Sequence, residues 1–337
     1  MIIILKRNAP QQKLDHLLAE LKAKGLDTHS VVGENQTIIG LIGNTTRIDI
    51  GALEQHDIVD AVRRVSEPYK LVNRSFHGTE DTIVNVSGSK IGGTNFGVIA
   101  GPCSIESEEQ IITAALRVKA AGANFLRGGA FKPRTSPYAF RGLKGEGLRL
   151  LLEAKKASGL PIVTELTSLE NIDLFEDVDV IQVGARNMQN FDMLWELGKC
   201  KKPILLKRGL SATIQELLMS AEYIAAGGNE NIILCERGIR TFETATRNTL
   251  DLSAVPVLQE KTHLPVIIDP SHASGIKRLV KPLAKAAVAV GANGVMIEVH
   301  PDPAHALCDG AQSITPDEFD DLMSALNPLL ALENKTI

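Results

Sequence analysis

The sequence predicts a (β/α)8 TIM barrel preceded by a small ferredoxin-like domain. Two observations carry the prediction. From residue 97 onward, strand-sized apolar runs alternate eight times with amphipathic helical segments. They fill about 240 residues, the usual size of such a barrel. Before residue 70 the order is instead β-α-β-β-α-β, that of a ferredoxin-like unit. A doubly wound open sheet would want a glycine-rich phosphate loop after its first strand, and that position reads Gly101-Pro-Cys-Ser104.

The first domain spans residues 1–70. Residues 2–5 read as a strand and 11–23 as a helix, with Leu14, Leu17, Leu18 and Leu21 on one face and Gly25 ending it. Strands at 28–32 and 37–41 flank a turn at Gly33-Glu-Asn35, a short helix covers 48–54, and a last strand covers 58–65. No cysteines, histidines or acids cluster here, so binding or regulation is expected rather than chemistry. His29 and Ser30 are candidate effector contacts. Residues 71–96 form a linker punctuated by Gly78, Gly88, Gly92 and Gly93, with a hairpin through 82–86 and 90–91.

The barrel spans 97–337. Its strands are expected at 97–100, 124–126, 161–164, 178–183, 203–206, 231–235, 265–268 and 294–297. Helices are expected at 107–121, 145–157, 168–175, 189–198, 211–226, 243–259, 276–290 and 316–331.

Composition narrows the function. The 337 residues carry a net charge of −4 with no basic stripe, which argues against a nucleic-acid surface. Apolar runs are strand-sized, so no membrane span is expected. Lys6-Arg7 follows the first apolar stretch too closely for a signal peptide. Cys103, Cys200, Cys235 and Cys308 lack paired spacing, which points to a reducing cytoplasm.

In a barrel the C-terminal strand ends converge on one mouth. Those ends read Cys103; Arg127 with Lys132 and Arg134; Glu165; Gln182 and Arg186; Lys207-Arg208; Glu236-Arg237 with Arg240; Asp269 and His272; Glu298 and His300 with Asp309 beyond. An acidic chain that focuses cations at one mouth suits a small, multiply anionic substrate bearing phosphate or carboxylate. The densest segment runs from Arg127 to Tyr138, where glycines permit close backbone approach and prolines stiffen the loop. Within this basic ring, Cys103, His272, Glu298 and Asp309 offer a thiolate, an imidazole and two carboxylates. That donor set suits a divalent metal acting as Lewis acid on a carbonyl. Taken singly, each has an ordinary packing or charge-neutralising role, and spacing alone does not separate the two readings.

Arg127-Gly-Gly with Lys132-Pro-Arg-Thr-Ser136, Gln182-Val-Gly-Ala-Arg186-Asn, Leu206-Lys-Arg-Gly209, Cys235-Glu-Arg-Gly238, Asp269-Pro-Ser-His272 and Glu298-Val-His300 together resemble the 3-deoxy-D-arabino-heptulosonate 7-phosphate (DAHP) synthases. The similarity runs along essentially the whole chain, within the subgroup that has an N-terminal ferredoxin-like domain. The related 3-deoxy-octulosonate 8-phosphate synthases, which use arabinose 5-phosphate, typically have an asparagine between the loop's lysine and arginine. Here Lys132-Pro-Arg134 stands instead.

The resemblance implies a transferase that condenses phosphoenolpyruvate with erythrose 4-phosphate in the shikimate pathway. Arg186, Lys207 and Arg237 would hold the phosphate of phosphoenolpyruvate, with Arg127 and Lys132 at its carboxylate. Arg134, Thr135 and Ser136 would hold erythrose 4-phosphate. Cys103, His272, Glu298 and Asp309 match the family's ligands for one divalent ion (manganese, iron, zinc or cobalt). Glu165 and Lys207 are candidates to activate water, and Asp269 to contact the acceptor or orient the metal site. A homotetramer and inhibition by an aromatic amino acid through residues 1–70 are implied as well. A phosphosugar sensor without catalysis is the alternative of a different class.

Overall fold

The computed structural model describes residues 1–337 apart from 8, 33–36, 43–44, 46–47, 65–66, 78–79 and 135, and apart from the side chains of 29, 31, 32, 42 and 76. The turn at 33–35, Gly78, Thr135 and the side chain of His29 therefore lie outside the described residues. The chain divides into two compact units, Met1–Pro68 and Tyr69–Ile337.

The first unit runs β1 (Ile2–Leu5), α1 (Gln11–Ala23), β2 (Asp27–Val32), β3 (Thr37–Ile42), α2 (Ile50–Glu54) and β4 (Val59–Arg63). Its antiparallel sheet has the order β2-β3-β1-β4. Alternation along β1 buries Ile3 and Leu5 with Leu17 and Leu21 of α1, while Ile2 and Ile4 are less covered. Asp49 caps α2 by accepting from the Ala52 amide. This is the expected ferredoxin-like arrangement.

The second unit opens with α3 (Arg74–His77) and the hairpin β5 (Val84–Val86) and β6 (Ser89–Ile91). Eight parallel strands follow: β7 (Gly97–Gly101), β8 (Phe125–Arg127), β9 (Ile162–Glu165), β10 (Val180–Val183), β11 (Ile204–Lys207), β12 (Ile232–Glu236), β13 (Val266–Ile268) and β14 (Gly294–Glu298). They close in sequence order, β14 pairing with β7. The helices around them are α4 (Glu108–Ala120), α5 (Gly145–Ser158), α6 (Phe191–Gly198), α7 (Ile214–Ala226), α8 (Ala254–Lys261), α9 (Pro270–Ser274), α10 (Lys277–Ala289) and α11 (Pro316–Leu332). Among the described residues no helix is long and apolar enough to cross a membrane.

Period-two alternation divides each strand between two cores. Ile99, Phe125, Val163, Val180, Leu205, Ile233, Ile267 and Met296 fill the barrel interior, joined by Val84, Val86 and Ile91 of the hairpin. Ile91 sits directly under Gly97 at the start of β7, so the hairpin closes the barrel floor. The outward residues pack under the helices. Glu222 of α7 accepts from the successive amides of Lys70, Leu71 and Val72 at 2.9–3.0 Å, anchoring the segment that leads into α3.

Two expected helices differ. Residues 169–175 form a 3-10 helix. The helix expected at 243–259 forms only as α8, and the residues before it are a loop. Threonine hydroxyls outcompete the helical ladder there. Thr241 Oγ1 bonds Thr249 Oγ1 and accepts from the Glu243 amide, Thr246 Oγ1 donates to the Asn248 carbonyl, and Ile239 bridges Thr249.

Candidate active site

The parity that sends apolar side chains inward at the middle of each strand sends polar ones inward at its end. Two residues beyond Phe125 is Arg127, beyond Val163 is Glu165, beyond Val180 is Gln182, beyond Leu205 is Lys207, beyond Ile267 is Asp269 and beyond Met296 is Glu298. Gly101 takes the corresponding place on β7. Its φ is +147°, and a Cβ there would stand 2.1 Å from the Arg127 carbonyl oxygen. Glu236 has the opposite parity and points away from the mouth. It accepts from Arg208 Nη1 at 2.8 Å and from the Gly238 amide at 2.6 Å. Arg208 also bonds Asp251, so this cation is committed to structure.

The mouth holds a cavity of about 330 Å3, and among the described residues eight cations line it: Arg127, Lys132, Arg134, Arg186, Lys207, Arg237, Arg240 and Arg247. Glu165 and Asp309 are the carboxylates in the same lining. Room for one or two small molecules under so much positive charge selects small anions. Ser136 lines the cavity too, and Asp269 lies fully buried beneath it.

At the cavity floor the candidate ligand atoms of Cys103, His272, Glu298 and Asp309 all lie within 4.8 Å of one another. Cys103 Sγ is 3.4 Å from Asp309 Oδ2, and His272 Nε2 is 3.3 Å from Glu298 Oε1. His272 Nδ1 is 2.7 Å from Asp269 Oδ2, which can only accept while ionised, so Nδ1 carries the hydrogen and Nε2 presents its lone pair to the site. One sulfur, one nitrogen and two carboxylate oxygens from three strands or their loops fit a divalent ion of intermediate softness.

Buried cations hold the group together. Arg127 Nη1 donates to Glu298 Oε1 at 2.5 Å and Nη2 donates to the Cys103 carbonyl at 3.2 Å. Lys132 Nζ reaches the Cys103 carbonyl at 3.2 Å and Sγ at 3.0 Å. Lys207 Nζ donates to Asp269 Oδ2 at 2.5 Å. Gln182 Nε2 donates to Glu165 Oε2 at 3.2 Å, and a Cβ on Gly184 would stand 2.0 Å from Glu165 Oε1.

These contacts set the ionisation states. Burial opposes ionisation of Glu298, but the positive charge around it, His272 when protonated and Arg127 and Lys132 throughout, holds its carboxyl down at about 2. Burial likewise opposes the charge on Asp269, and His272 and Lys207 still keep it well below the carboxylate range. Burial lowers His272 against the pull of Asp269 and Glu298, leaving a neutral imidazole fit to ligate. Lys132 stays protonated despite its burial, because Cys103 and nearby carboxylates favour the cation. Contact with Cys308, then burial and Glu298, push the Cys103 thiol up. The same contact lowers Cys308 to about 6 against burial, with help from Ser104, Lys132 and Arg134. Cys308 is buried and takes Arg134 Nη1 at 3.2 Å on its sulfur, outside the four-ligand group.

Sequence reasoning missed several residues. Arg247 comes from the loop that was expected to be helix, and its Nη1 donates to Gln312 Oε1 at 2.8 Å and to Asp309 Oδ1 at 3.4 Å. Buried Gln312 donates to Glu298 Oε2 at 2.5 Å. Glu106 ties the loop of Cys103 to that of Asp309 by accepting from Ser104 Oγ and the Leu307 amide. His300 Nε2 lies 3.4 Å from its other oxygen.

Residues 80–331 match the DAHP synthetase I family, and residues 1–67 match the DAHP synthase ferredoxin-like domain. The chain is 47% identical to a phospho-2-dehydro-3-deoxyheptonate aldolase of Thermotoga maritima, over 98% of this chain and 97% of that one. A 2-dehydro-3-deoxyphosphooctonate aldolase of Geobacter sp. is 33% identical over 75% of this chain and 98% of its own length. The crystal structure of a Thermotoga maritima phospho-2-dehydro-3-deoxyheptonate aldolase (DAHP synthase) superposes with a TM-score of 0.89, at 46% identity, covering 99% of this chain and 98% of that one. A truncated DAHP synthase from the same organism gives a TM-score of 0.73 at 48% identity, over 79% of this chain and 98% of its own. The chain belongs to the DAHP synthetase I family, and it carries that family's ferredoxin-like domain at its N-terminus.

Proposed function

We propose that the protein is a DAHP synthase, condensing phosphoenolpyruvate with erythrose 4-phosphate to give DAHP and inorganic phosphate. The observation that carries this reading is the cavity itself: eight cations ring a four-residue ligand group in a space with room for one or two small molecules. Near-full-length identity to a relative of that name supports it.

Buried Lys207 and Arg237, with Arg186, hold the donor's phosphate, and Arg127 and Lys132 face its carboxylate. Arg134 and Ser136, on the exposed part of the loop, hold the acceptor's phosphate together with Thr135. Pro133 between the two sets fixes how the two carbons meet. A divalent ion held by Cys103, His272, Glu298 and Asp309 supplies Lewis acidity toward the aldehyde oxygen when bound.

Carbon 3 of the enol forms the new bond to the aldehyde carbon, whose carbonyl electron pair moves to oxygen and takes a proton. Water then bonds to carbon 2, and the carbon–oxygen bond to phosphate breaks, leaving the ketone. Lys132, kept protonated, is placed to donate a proton at the acceptor oxygen. Glu165 and Lys207 are the candidates for handling the water proton.

The contrasting acceptor is arabinose 5-phosphate. Phosphate release measured with each aldose tests the choice, and a preference for arabinose 5-phosphate overturns it. Repeating the assay on chelator-stripped protein with manganese, iron, zinc or cobalt added back identifies the working ion.

The first unit, which matches the DAHP synthase ferredoxin-like domain, is read as a regulatory domain that binds an aromatic amino acid in a cytoplasmic homotetramer. Titrating tyrosine and phenylalanine against full-length protein, with sedimentation for the assembly, tests this. Flat activity curves remove the regulatory role.

A further inference from the structure

We propose that Gln312 and Arg247 decide which carboxylate oxygens face the metal ion, acting as positioning residues for the centre. The proposal rests on the reading of Cys103, His272, Glu298 and Asp309 as ligands.

Gln312 is buried at 2% exposure between a carboxylate and a guanidinium. Its amide has two unlike ends: the oxygen accepts from Arg247 Nη1 at 2.8 Å, and the nitrogen donates to Glu298 Oε2 at 2.5 Å. The reversed amide would set oxygen against the carboxylate and N–H against the guanidinium, so Arg247 fixes the orientation. The two oxygens of Glu298 thereby become inequivalent. Oε2 is taken by Gln312, while Oε1 accepts from Arg127 Nη1 at 2.5 Å and turns toward His272 Nε2 at 3.3 Å, with a lone pair left for an ion.

Asp309 is divided in the same way. Its Oδ1 takes Arg247 at 3.4 Å, and its Oδ2 lies 3.4 Å from Cys103 Sγ. The backbone of Asp309 has φ +50°, uncommon outside glycine, and its carbonyl accepts from Ser313 Oγ at 3.1 Å and from the Gln312 amide at 3.2 Å. A carboxylate free to turn can give both oxygens to a cation. With Glu298 Oε2 turned to Gln312 and Asp309 Oδ1 turned to Arg247, the protein offers four donor atoms, one per ligand residue. An ion that accepts more than four then keeps positions for substrate or water.

Charge and positioning predict opposite effects at Arg247. A nearby cation disfavours a metal ion, so charge alone predicts tighter binding when Arg247 is removed. Loss of positioning predicts weaker binding.

Cobalt(II) titrated into chelator-stripped protein reads both affinity and coordination, through its thiolate charge-transfer band and its ligand-field bands, which weaken as coordination number rises. Gln312→Met keeps the volume and removes the amide. It should bind cobalt roughly 10- to 100-fold more weakly, with weakened ligand-field bands. Arg247→Met, at a half-exposed position, should shift both readouts in the same direction, and it decides the matter if Gln312→Met fails to fold. Unchanged affinity and bands in Gln312→Met overturn the proposal, as does tighter binding with unchanged bands in Arg247→Met. Absence of a thiolate band in the wild-type protein overturns the ligand reading and this proposal together.

Discussion

Lys207 and Asp269 form an ion pair at 2.5 Å between side chains that are 5% and 0% exposed, and the shared oxygen of Asp269 also takes His272 Nδ1. One carboxylate thus joins a cation assigned to substrate phosphate with a candidate metal ligand. Asp269→Asn leaves Lys207 buried without its counter-charge. Breaking such a pair costs about 3 kcal/mol or more, which denaturant unfolding of the chelator-stripped protein should show. Metal affinity should fall roughly 10- to 100-fold as His272 loses the acceptor that fixes its tautomer.

Arg134 separates the two halves of the substrate loop. Lys132 is anchored on Cys103, whereas Arg134 is exposed and donates to the Cys308 sulfur. Arg134→Ala should raise the KM for erythrose 4-phosphate roughly 10- to 100-fold, the worth of one charged hydrogen bond. The KM for phosphoenolpyruvate should stay near wild type. A rise confined to phosphoenolpyruvate would show that the halves are assigned the wrong way round.

Gly184 leaves room for the Glu165 carboxylate. At φ −66° its backbone accepts alanine, but the added methyl would overlap Glu165 Oε1. Gly184→Ala should therefore fold with near-native stability and displace Glu165 from Gln182. A roughly 10- to 100-fold loss of kcat is expected if that carboxylate handles a proton. Unaltered kcat would assign Glu165 to packing.

His263 controls a pH dependence far from the mouth. Its Nδ1 accepts from Thr82 Oγ1 at 2.6 Å, its Nε2–H donates to the Leu71 carbonyl at 2.9 Å, and its ring stacks on His77 at 3.6 Å. Burial lowers its pKa, with His77 and Arg74 adding to the effect and the Leu71 bond and Glu230 opposing it. The folded ring therefore holds fewer protons than the unfolded one below about pH 6.5, and this contribution to stability is lost as pH falls through that value. It levels off below the folded pKa. Unfolding free energies between about pH 7 and pH 5 should slope downward, and His263→Gln, which keeps a donor for Leu71, should flatten that part of the slope.

The sequence carried the barrel because period-two and period-3.6 patterns both report burial, and burial is what the strands and helices share. It carried most of the mouth for the same reason: Arg127, Glu165, Lys207, Asp269 and Glu298 continue the inward parity of the apolar residues beneath them. Glu236 shows where reading strand ends without parity misleads, since it turns outward to Arg208. The loop ahead of α8 was hidden because its alanine, glutamate and arginine imitate a helix while its threonines bond one another. Gln312 had no signal to read. Its importance arises from a contact with Glu298 across a loop of no regular period.

The hairpin beneath the barrel has a consequence for traffic. With Val84, Val86 and Ile91 sealing the floor, traffic to the site runs through the mouth. Arg127, Lys207 and Arg237 sit deep, at 4–6% exposure, while Arg134 and Ser136 stand at the threshold. On the assignment proposed above the site works as a stack rather than a corridor. The three-carbon reactant must be loaded before the four-carbon one blocks the way, and the phosphate it sheds must wait for the product to clear.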